Sequence, residues 1–403
     1  MSDEQRLIEA FEAGTLIRPS AERANFVDLA RTLASMAGVP DTPSHDEIAG
    51  HIGTSEHLVF VLADGLGSHF IEEQAAGSWL REHMVMELQT VFPSTTAVAL
   101  TSLATGAWMG RHAVTGWDTR LPELEGAATL LPFLRRSDQQ PLTECGITPE
   151  DAFPAPPLLG RASRSVASIV PVAIAKSVYS GYSSGGTPRS GYRSLAEAVE
   201  LVVDRVREAA GPTYTYVYTP LVDALAHDLG VAHPEVRDGV AAIDELARRL
   251  AAEFADLGTD VRIVVSADHG HLDAPPERRH PLRASDPLLG MLDGPPSGDV
   301  RVLYFHLLEG RHYRFRELFE ERFGERFVLL DAEDAERLRL FGPDDLTEEC
   351  RHRVGDMVAI SLGRDVMRYS RPEGNGPGDA FMRQIGQHSG LSPQEMLIPL
   401  IVC

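Results

Sequence analysis

Three apolar runs of strand length are each followed by side chains that bind divalent cations. Asp64-Gly65 follows LVFVLA, Asp223 and His227 come shortly after YTYVYT, and Asp268-His269 comes just after VRIVVS. A further imidazole, His388 in GQHSGLSPQEMLIPL, precedes a last apolar run. An Asp and a His at i and i+4 leave a helix from one face, so Asp223 and His227 can reach one ion. Three carboxylates and three imidazoles without a thiolate suit a borderline-hard divalent ion such as zinc or manganese. Singly, each fragment has an ordinary structural explanation: an Asp-Gly turn, or a solvated Asp and His on a helix. What unites them is that all fall at the same edge of one inferred sheet.

A nucleophile is offered by VFPSTTAVALTSLATG. Ser94, Thr95 and Thr96 stand between a probable strand (VMELQTV) and a helix, where free backbone N–H groups and the helix dipole favour an anion. A hydroxyl there can attack phosphorus if a bound ion lowers its pKa, whereas helix capping accounts for the same residues without chemistry. Trp117, Tyr182 and Phe92 are candidates to stack on a base or aryl group, although core packing explains them equally. Arg164, Arg189, Arg311, Arg314 and Arg316 are candidates for an anion clamp. His271 and His112 are assigned structural roles.

These residues need a scaffold that brings strand ends together. Strand candidates at LVFVLA, YTYVYT and VRIVVS alternate with helical patterns over 97–105, 195–209 and 234–257. That order predicts an α/β fold, a mostly parallel sheet with helices on both faces. Ligands of such sheets gather beyond the carboxyl ends of the strands. A Pro-rich stretch near 275 opens a different texture: strand (VRVLYFHLL), helix (YRFRELFEERFG), strand (RFVLLD), helix (AEDAERLRLF) and loop (RPEGNGPGD). The run MLIPLIV then looks like a return to the main sheet. The expected organisation is a metallohydrolase domain over 1–274 and 387–403, interrupted by an α+β cap over 275–386. The segment YSGYSSGGTPRSGY, 179–192, reads as a surface loop.

Composition narrows the partners. With 37 basic and 59 acidic residues the net charge is −22, which opposes binding of a nucleic-acid polymer. A small phosphate ester remains compatible, because bound cations bring the positive charge locally. Cys145, Cys350 and Cys403 are widely spaced, so reduced thiols and a cytoplasmic location are expected. The opening MSDEQRLIEAFEAG has no basic and apolar signal pattern, and no apolar run is long enough to predict a membrane span.

In this order, ADG, FPSTTAVALTSLATG, DALAH, SADHGH and GQHSGLSP resemble the alkaline phosphatase superfamily, and within it the nucleotide pyrophosphatase/phosphodiesterase branch. The similarity runs from about Val59 to Val402, with the cap poorly matched. It implies an alkaline-phosphatase-like fold with two zinc ions and a threonine that is transiently esterified. Asp64, Thr96, Asp268 and His269 would bind one ion, and Asp223, His227 and His388 the other. Family spacing puts the nucleophile ten residues before the Gly of a TG pair, which selects Thr96 by its distance to Gly106. The chain departs from the pattern at Trp117, where the family carries an Asn that donates to a nonbridging phosphate oxygen. A substitute donor is the backbone N–H of Ala97; losing such a donor costs on the order of 10²-fold to 10³-fold.

The resemblance implies a hydrolase of phosphodiester or pyrophosphate bonds in small nucleotide-type molecules. A phosphomonoesterase, a phosphonate hydrolase and an inert metal- or phosphate-binding protein are the alternatives. Two divalent ions against Asp64, Asp223, Asp268 and a Thr96 alkoxide make the immediate surroundings of the phosphate about neutral, which favours a singly charged diester.

Overall fold

The computed structural model describes residues 1–73, 76–124, 126–370 and 383–403. Its main sheet has seven strands in the order Met84–Gln89, Leu397–Val402, Val261–Ser266, His57–Ala63, Thr213–Thr219, Ser165–Pro171, Arg189–Tyr192. From Val261–Ser266 to Arg189–Tyr192 neighbours run parallel, and Leu397–Val402 is antiparallel to both of its neighbours. The mostly parallel sheet expected from the β, α alternation is present. Helices cover both faces, so the central strand His57–Ala63 is buried along its whole length and reads as an unbroken apolar run.

Two of the covering helices, Leu195–Arg207 and Pro234–Leu257, are amphipathic and bury Val199, Val202, Val203 and Val206, and Val240, Ile243, Ala247 and Leu250. The helix Thr96–Thr105 differs: Leu103 alone is not buried, so it is covered all round and lies inside the molecule. Among the described residues no helix is long and apolar enough to cross a membrane.

A second seven-stranded sheet runs Phe327–Asp331, Met357–Ser361, Val302–Phe305, Ser297–Gly298, Asp118–Arg120, Ala127–Thr129, Leu134–Arg135. It is wider than the expected 275–386 insertion, since its last three strands come from the preceding part of the chain. They join where Gly298 pairs with Asp118, and Gly116 lies so close that an added Cβ would be 2.7 Å from the Gly298 carbonyl. Strands of two or three residues leave too little periodicity to be read from sequence. Nor does the insertion have a core of its own on both faces. Alternation along Val302–Phe305 sends Val302 and Tyr304 to the main core, and Leu303 and Phe305 to a cluster with Phe315, Phe319 and Phe323.

The 179–192 segment is also more ordered than a loop. Ser177 caps a helix, Val178–Ser183, and Arg189–Tyr192 becomes the edge strand of the main sheet. The helix is one and a half turns long and rich in Ser and Gly, which hides it from a periodicity reading. The sequence loop RPEGNGPGD lies outside the described residues.

Candidate metal centre

Asp64 follows the central strand, Asp268 and His269 follow the neighbouring strand, and Asp223 and His227 lie on the helix Leu221–Leu229 after the third. The chain turns sharply after Asp64 at Gly65, whose φ is +74°, and a Cβ there would lie 2.8 Å from His271 Nε2 and 3.0 Å from the Asp223 backbone. Only glycine admits both the conformation and the approach. Six predicted ligands and one hydroxyl converge here into two adjoining groups, Asp64, Asp268 and His269 with Thr96, and Asp223, His227 and His388.

Distances distinguish a ligand set from a hydrogen-bonded cluster. Four donors at 2.0–2.1 Å around a tetrahedral ion lie about 3.3 Å apart. In the first group His269 Nε2 is 3.1 Å from Thr96 Oγ1, 3.3 Å from Asp64 Oδ1 and 3.6 Å from Asp268 Oδ2. In the second, His227 Nε2 is 3.3 Å from Asp223 Oδ1 and 3.2 Å from His388 Nε2, and His388 Nε2 is 3.7 Å from that carboxylate oxygen. Both sets have the edge lengths of a coordination sphere. The rings are oriented for it as well: Nδ1 of His227 and of His388 lies 2.8 Å and 3.0 Å from the carbonyls of Gly386 and Ser94, leaving each Nε2 lone pair for an ion. The His269 and His388 rings stack at 3.8 Å between centroids and join the two groups.

The electrostatics suit a site that holds cations. Asp268 Oδ2 is buried without a hydrogen-bond partner. Burial, with Asp268 and Asp223 nearby, raises Asp64 well above the usual carboxylate range, and burial pushes Asp268 up to about 7. Burial also brings His269 down to about 3 and His388 well below its ordinary value, so these imidazoles are neutral and able to ligate. Burial raises Asp223 too, but His227 and His271 outweigh it and hold the carboxylate well below its usual range.

Of the three hydroxyls only that of Thr96 faces the carboxylates. Ser94 Oγ donates to the Gly390 carbonyl at 2.7 Å, and Thr95 Oγ1 donates to Asp299 Oδ2 at 2.7 Å. The first intrahelical bond runs from Ala99 N to Thr95 O, so the N–H groups of Thr96, Ala97 and Val98 are first-turn donors. A cavity of about 540 Å³ opens on Thr96, Asp64 and Asp223. Trp117, Leu131, Pro132, Ile174, Tyr179 and Tyr216 form its apolar walls, and among the described residues Arg189 is the one basic residue lining it.

Other candidates lie elsewhere. Tyr182 stacks on Phe153 and donates to the Ala155 carbonyl, and Phe92 stacks on Phe341 in the core. Arg164 donates to the Ser55 and Glu56 carbonyls, at the opposite end of the central strand. Arg314 and Arg316, on the helix His312–Phe323, pair with Glu317 and Asp331, and Arg311 stands just before that helix. His112 bonds Ser102 Oγ at 3.0 Å, a structural role.

His271 was assigned a structural role, yet its fully buried Nε2 lies 2.9 Å from Asp223 Oδ1. The usable signal was D-H-G-H: two residues beyond His269 an extended chain returns to the same face. At hydrogen-bond length from the carboxylate, His271 orients Asp223 and adds a fourth imidazole or carboxylate donor to that group. His271→Ala is expected to weaken binding of one zinc ion by about ten-fold to a hundred-fold, measured by chelator competition. Unchanged affinity at both sites would dismiss that role.

A sequence model of the family described as type I phosphodiesterase/nucleotide pyrophosphatase matches residues 159–369. The matched span holds Asp223, His227, Asp268, His269 and His271, and geometry adds Asp64, Thr96 and His388 from outside it. Human ectonucleotide pyrophosphatase/phosphodiesterase 5 superposes with a TM-score of 0.64 at 15% identity, over 86% of this chain and 87% of that one. An inactive form of the murine protein in complex with AMP gives 0.62 at 16% identity, over 86% and 87%. Phosphonoacetate hydrolase from Sinorhizobium meliloti 1021 in complex with phosphonoformate gives 0.60 at 20% identity, over 85% and 89%. No curated protein matches the chain by sequence. At these identities the superpositions establish a common fold, the alkaline-phosphatase-like α/β arrangement.

Proposed function

The chain belongs to the type I phosphodiesterase/nucleotide pyrophosphatase family of two-metal phosphoester hydrolases, and from that premise we propose that it cleaves phosphodiester or pyrophosphate bonds of small nucleotide-type molecules through a covalent intermediate on Thr96. The observation that carries this reading is the Thr96 hydroxyl, at the start of a buried helix and at the mouth of the cavity, 3.1 Å from His269 Nε2 and 3.5 Å from Asp64 Oδ1. Asp64, Asp268 and His269 would hold one divalent ion, and Asp223, His227 and His388, with His271, the other. Zinc suits these donors best and manganese is the alternative. When bound, the ions supply Lewis acidity that lowers the Thr96 hydroxyl pKa and stabilises the leaving oxygen.

The chain's own residues account for the rest. Thr96 Oγ1 attacks phosphorus, the bond to the leaving oxygen breaks, and a phosphorylated or nucleotidylated threonine results. Water then attacks that phosphorus and returns the hydroxyl. The Ala97 N–H donates to a nonbridging oxygen in place of the family Asn, and Trp117 turns that same position into apolar wall. A cavity of this size and lining accepts an aromatic or apolar group beyond the phosphate. Arg189 is partly committed, through Nε to the Ala175 carbonyl and through Nη1 to Ser184 Oγ, so a doubly charged monoester or a substrate carboxylate finds little compensation.

Comparison of kcat/KM for bis-p-nitrophenyl phosphate and p-nitrophenyl phosphate tests this choice. A diester preference of about ten-fold or more is expected from the near-neutral surroundings of the phosphate. A clear monoester preference, or hydrolysis of phosphonoacetate in place of both, would replace it with one of the other activities of the fold. A reducing compartment, the cytoplasm, is the location proposed, a reading supported by the three free thiols, two of them only partly buried.

A further inference from the structure

The second sheet meets the metal centre through one turn, Asp299-Val300-Arg301, between the strands Ser297–Gly298 and Val302–Phe305. The turn is closed by Asp299 N to Val302 O at 2.7 Å and anchored by Met367 N to Val300 O and Ser361 N to Arg301 O. Asp299 and Arg301 then point out of it to two different loops.

Asp299 accepts the Thr95 hydroxyl. Thr95 is the N-cap residue of the helix that begins with Thr96, and its side chain makes no cap hydrogen bond. A Thr in that place ordinarily bonds the first-turn N–H groups. Here that interaction is given up, the N–H groups stay available to an anion, and the hydroxyl is tied to the second sheet instead.

Arg301 reaches the loop that carries His388. Its guanidinium is fully buried, donating from Nε to Glu395 Oε1 at 2.6 Å and to the Gly363 and Asp365 carbonyls. Glu395 in turn accepts from Gly390 N, Ser392 N and Ser392 Oγ. The Arg301 N–H donates to Ser389 Oγ at 3.1 Å. Ser389 follows His388 directly and has a φ of +95°, a conformation a non-glycine residue holds only when its surroundings impose it.

We infer that the Asp299–Arg301 turn is a positioning device for the centre: Asp299 fixes the backbone that presents Thr96, and Arg301 fixes the loop that presents His388. Neither side chain is proposed to touch substrate or ion. The inference rests on the two-metal reading above, and the experiment separates the two.

Zinc-loaded protein is assayed with bis-p-nitrophenyl phosphate, and zinc affinity is measured independently by chelator competition. Asp299→Ala is expected to lower kcat by about ten-fold to a hundred-fold, with KM within about two-fold of the parent, because a displaced nucleophile loses rate rather than binding. Thr95→Val should reproduce the part of that loss that comes from the Thr95–Asp299 bond, and the double variant should be no worse than Asp299→Ala, which also removes the acceptor of the Val300 N–H. Asp299→Asn should recover most of the activity, as its amide oxygen still accepts from Thr95. Arg301→Lys, which cannot span its three acceptors, should weaken one of the two zinc sites by about ten-fold or more. The inference is overturned if Asp299→Ala keeps kcat, if the Asp299 and Thr95 losses multiply, if Asp299→Asn is as impaired as Asp299→Ala, or if Arg301→Lys binds both ions as the parent does. A parent protein that binds no zinc, or leaves the diester intact, would instead defeat the two-metal reading.

Discussion

Thr96→Ala is expected to lower kcat for an activated phosphodiester by on the order of 10³-fold or more, because the variant lacks the atom that forms the bond to phosphorus. The substitution removes one hydroxyl and one methyl group from the first turn of the helix Thr96–Thr105, so Tm should change little. Thr96→Ser keeps the hydroxyl and should retain far more activity than the alanine variant. Acid quench of the parent protein during turnover, followed by peptide mass spectrometry, should place the phosphoryl or nucleotidyl mass on the peptide containing Thr96. Label on Ser94 or Thr95, or an active Thr96→Ala protein, would sink the covalent route. Those neighbours are poor substitutes because their hydroxyls are bonded to the Gly390 carbonyl and to Asp299.

The second large effect concerns the metal-free protein and pH. Asp64 and Asp268 lie together in a buried site with their carboxyls raised, Asp268 to about 7. Without ions the folded chain therefore keeps protons that the unfolded chain releases near pH 4. Stability from these groups is fully present below that pH and is lost as pH rises through the folded value. Asp223 has the opposite sign: its stabilisation is present above the ordinary carboxylate pKa and is lost only on strong acidification. Buried neutral His269 and His388 act the other way below about pH 6.5, so the test is differential: chelator-treated parent should lose Tm relative to Asp268→Asn as pH rises from about 5 to about 7. Zinc should restore the most stability at the alkaline end, where its binding no longer has to displace protons. The same chelation should abolish diester hydrolysis, and readdition of zinc should recover it. A chelated parent whose Tm does not fall relative to Asp268→Asn across that range would contradict the raised Asp268 carboxyl.

Much of the fold was legible because the informative segments are long and periodic. LVFVLA is an unbroken apolar run and VRIVVS holds the apolar core Ile263-Val264-Val265, as strands covered on both faces require, and Pro234–Leu257 carries its helical period from end to end. The candidate ligands were legible for a related reason: the architecture directs attention to strand ends, where Asp64, Asp223 and Asp268 stand. What escaped was short or depended on distant chain. The strands over 118–135 are two or three residues long and exist because Gly298 pairs beside them. His271 gains its meaning only when the strand end brings Asp223 to within 2.9 Å. Asp299 and Arg301, in an unremarkable SGDVRV stretch, owe their roles to Thr95, Ser389 and Glu395.

The placement of Leu397–Val402 bears on how such a molecule can be made. That strand enters the sheet between Met84–Gln89 and Val261–Ser266, antiparallel to both, and the segment before it carries His388, Ser389 and Glu395. While the ribosome is still adding earlier residues, Val261–Ser266 exposes unpaired backbone along one side, and Met84–Gln89, whose neighbour in the sheet is Leu397–Val402, has no strand to pair with. The nascent chain thus passes through a stage in which the five strands from Val261–Ser266 to Arg189–Tyr192 can pair while the Val261–Ser266 edge stays open, a state prone to pairing with the wrong strand. Asp223 and His227 wait through that stage without their third predicted ligand. Pairing of this strand and delivery of His388 belong to one short stretch of chain, so completion of the sheet and of the centre are coupled.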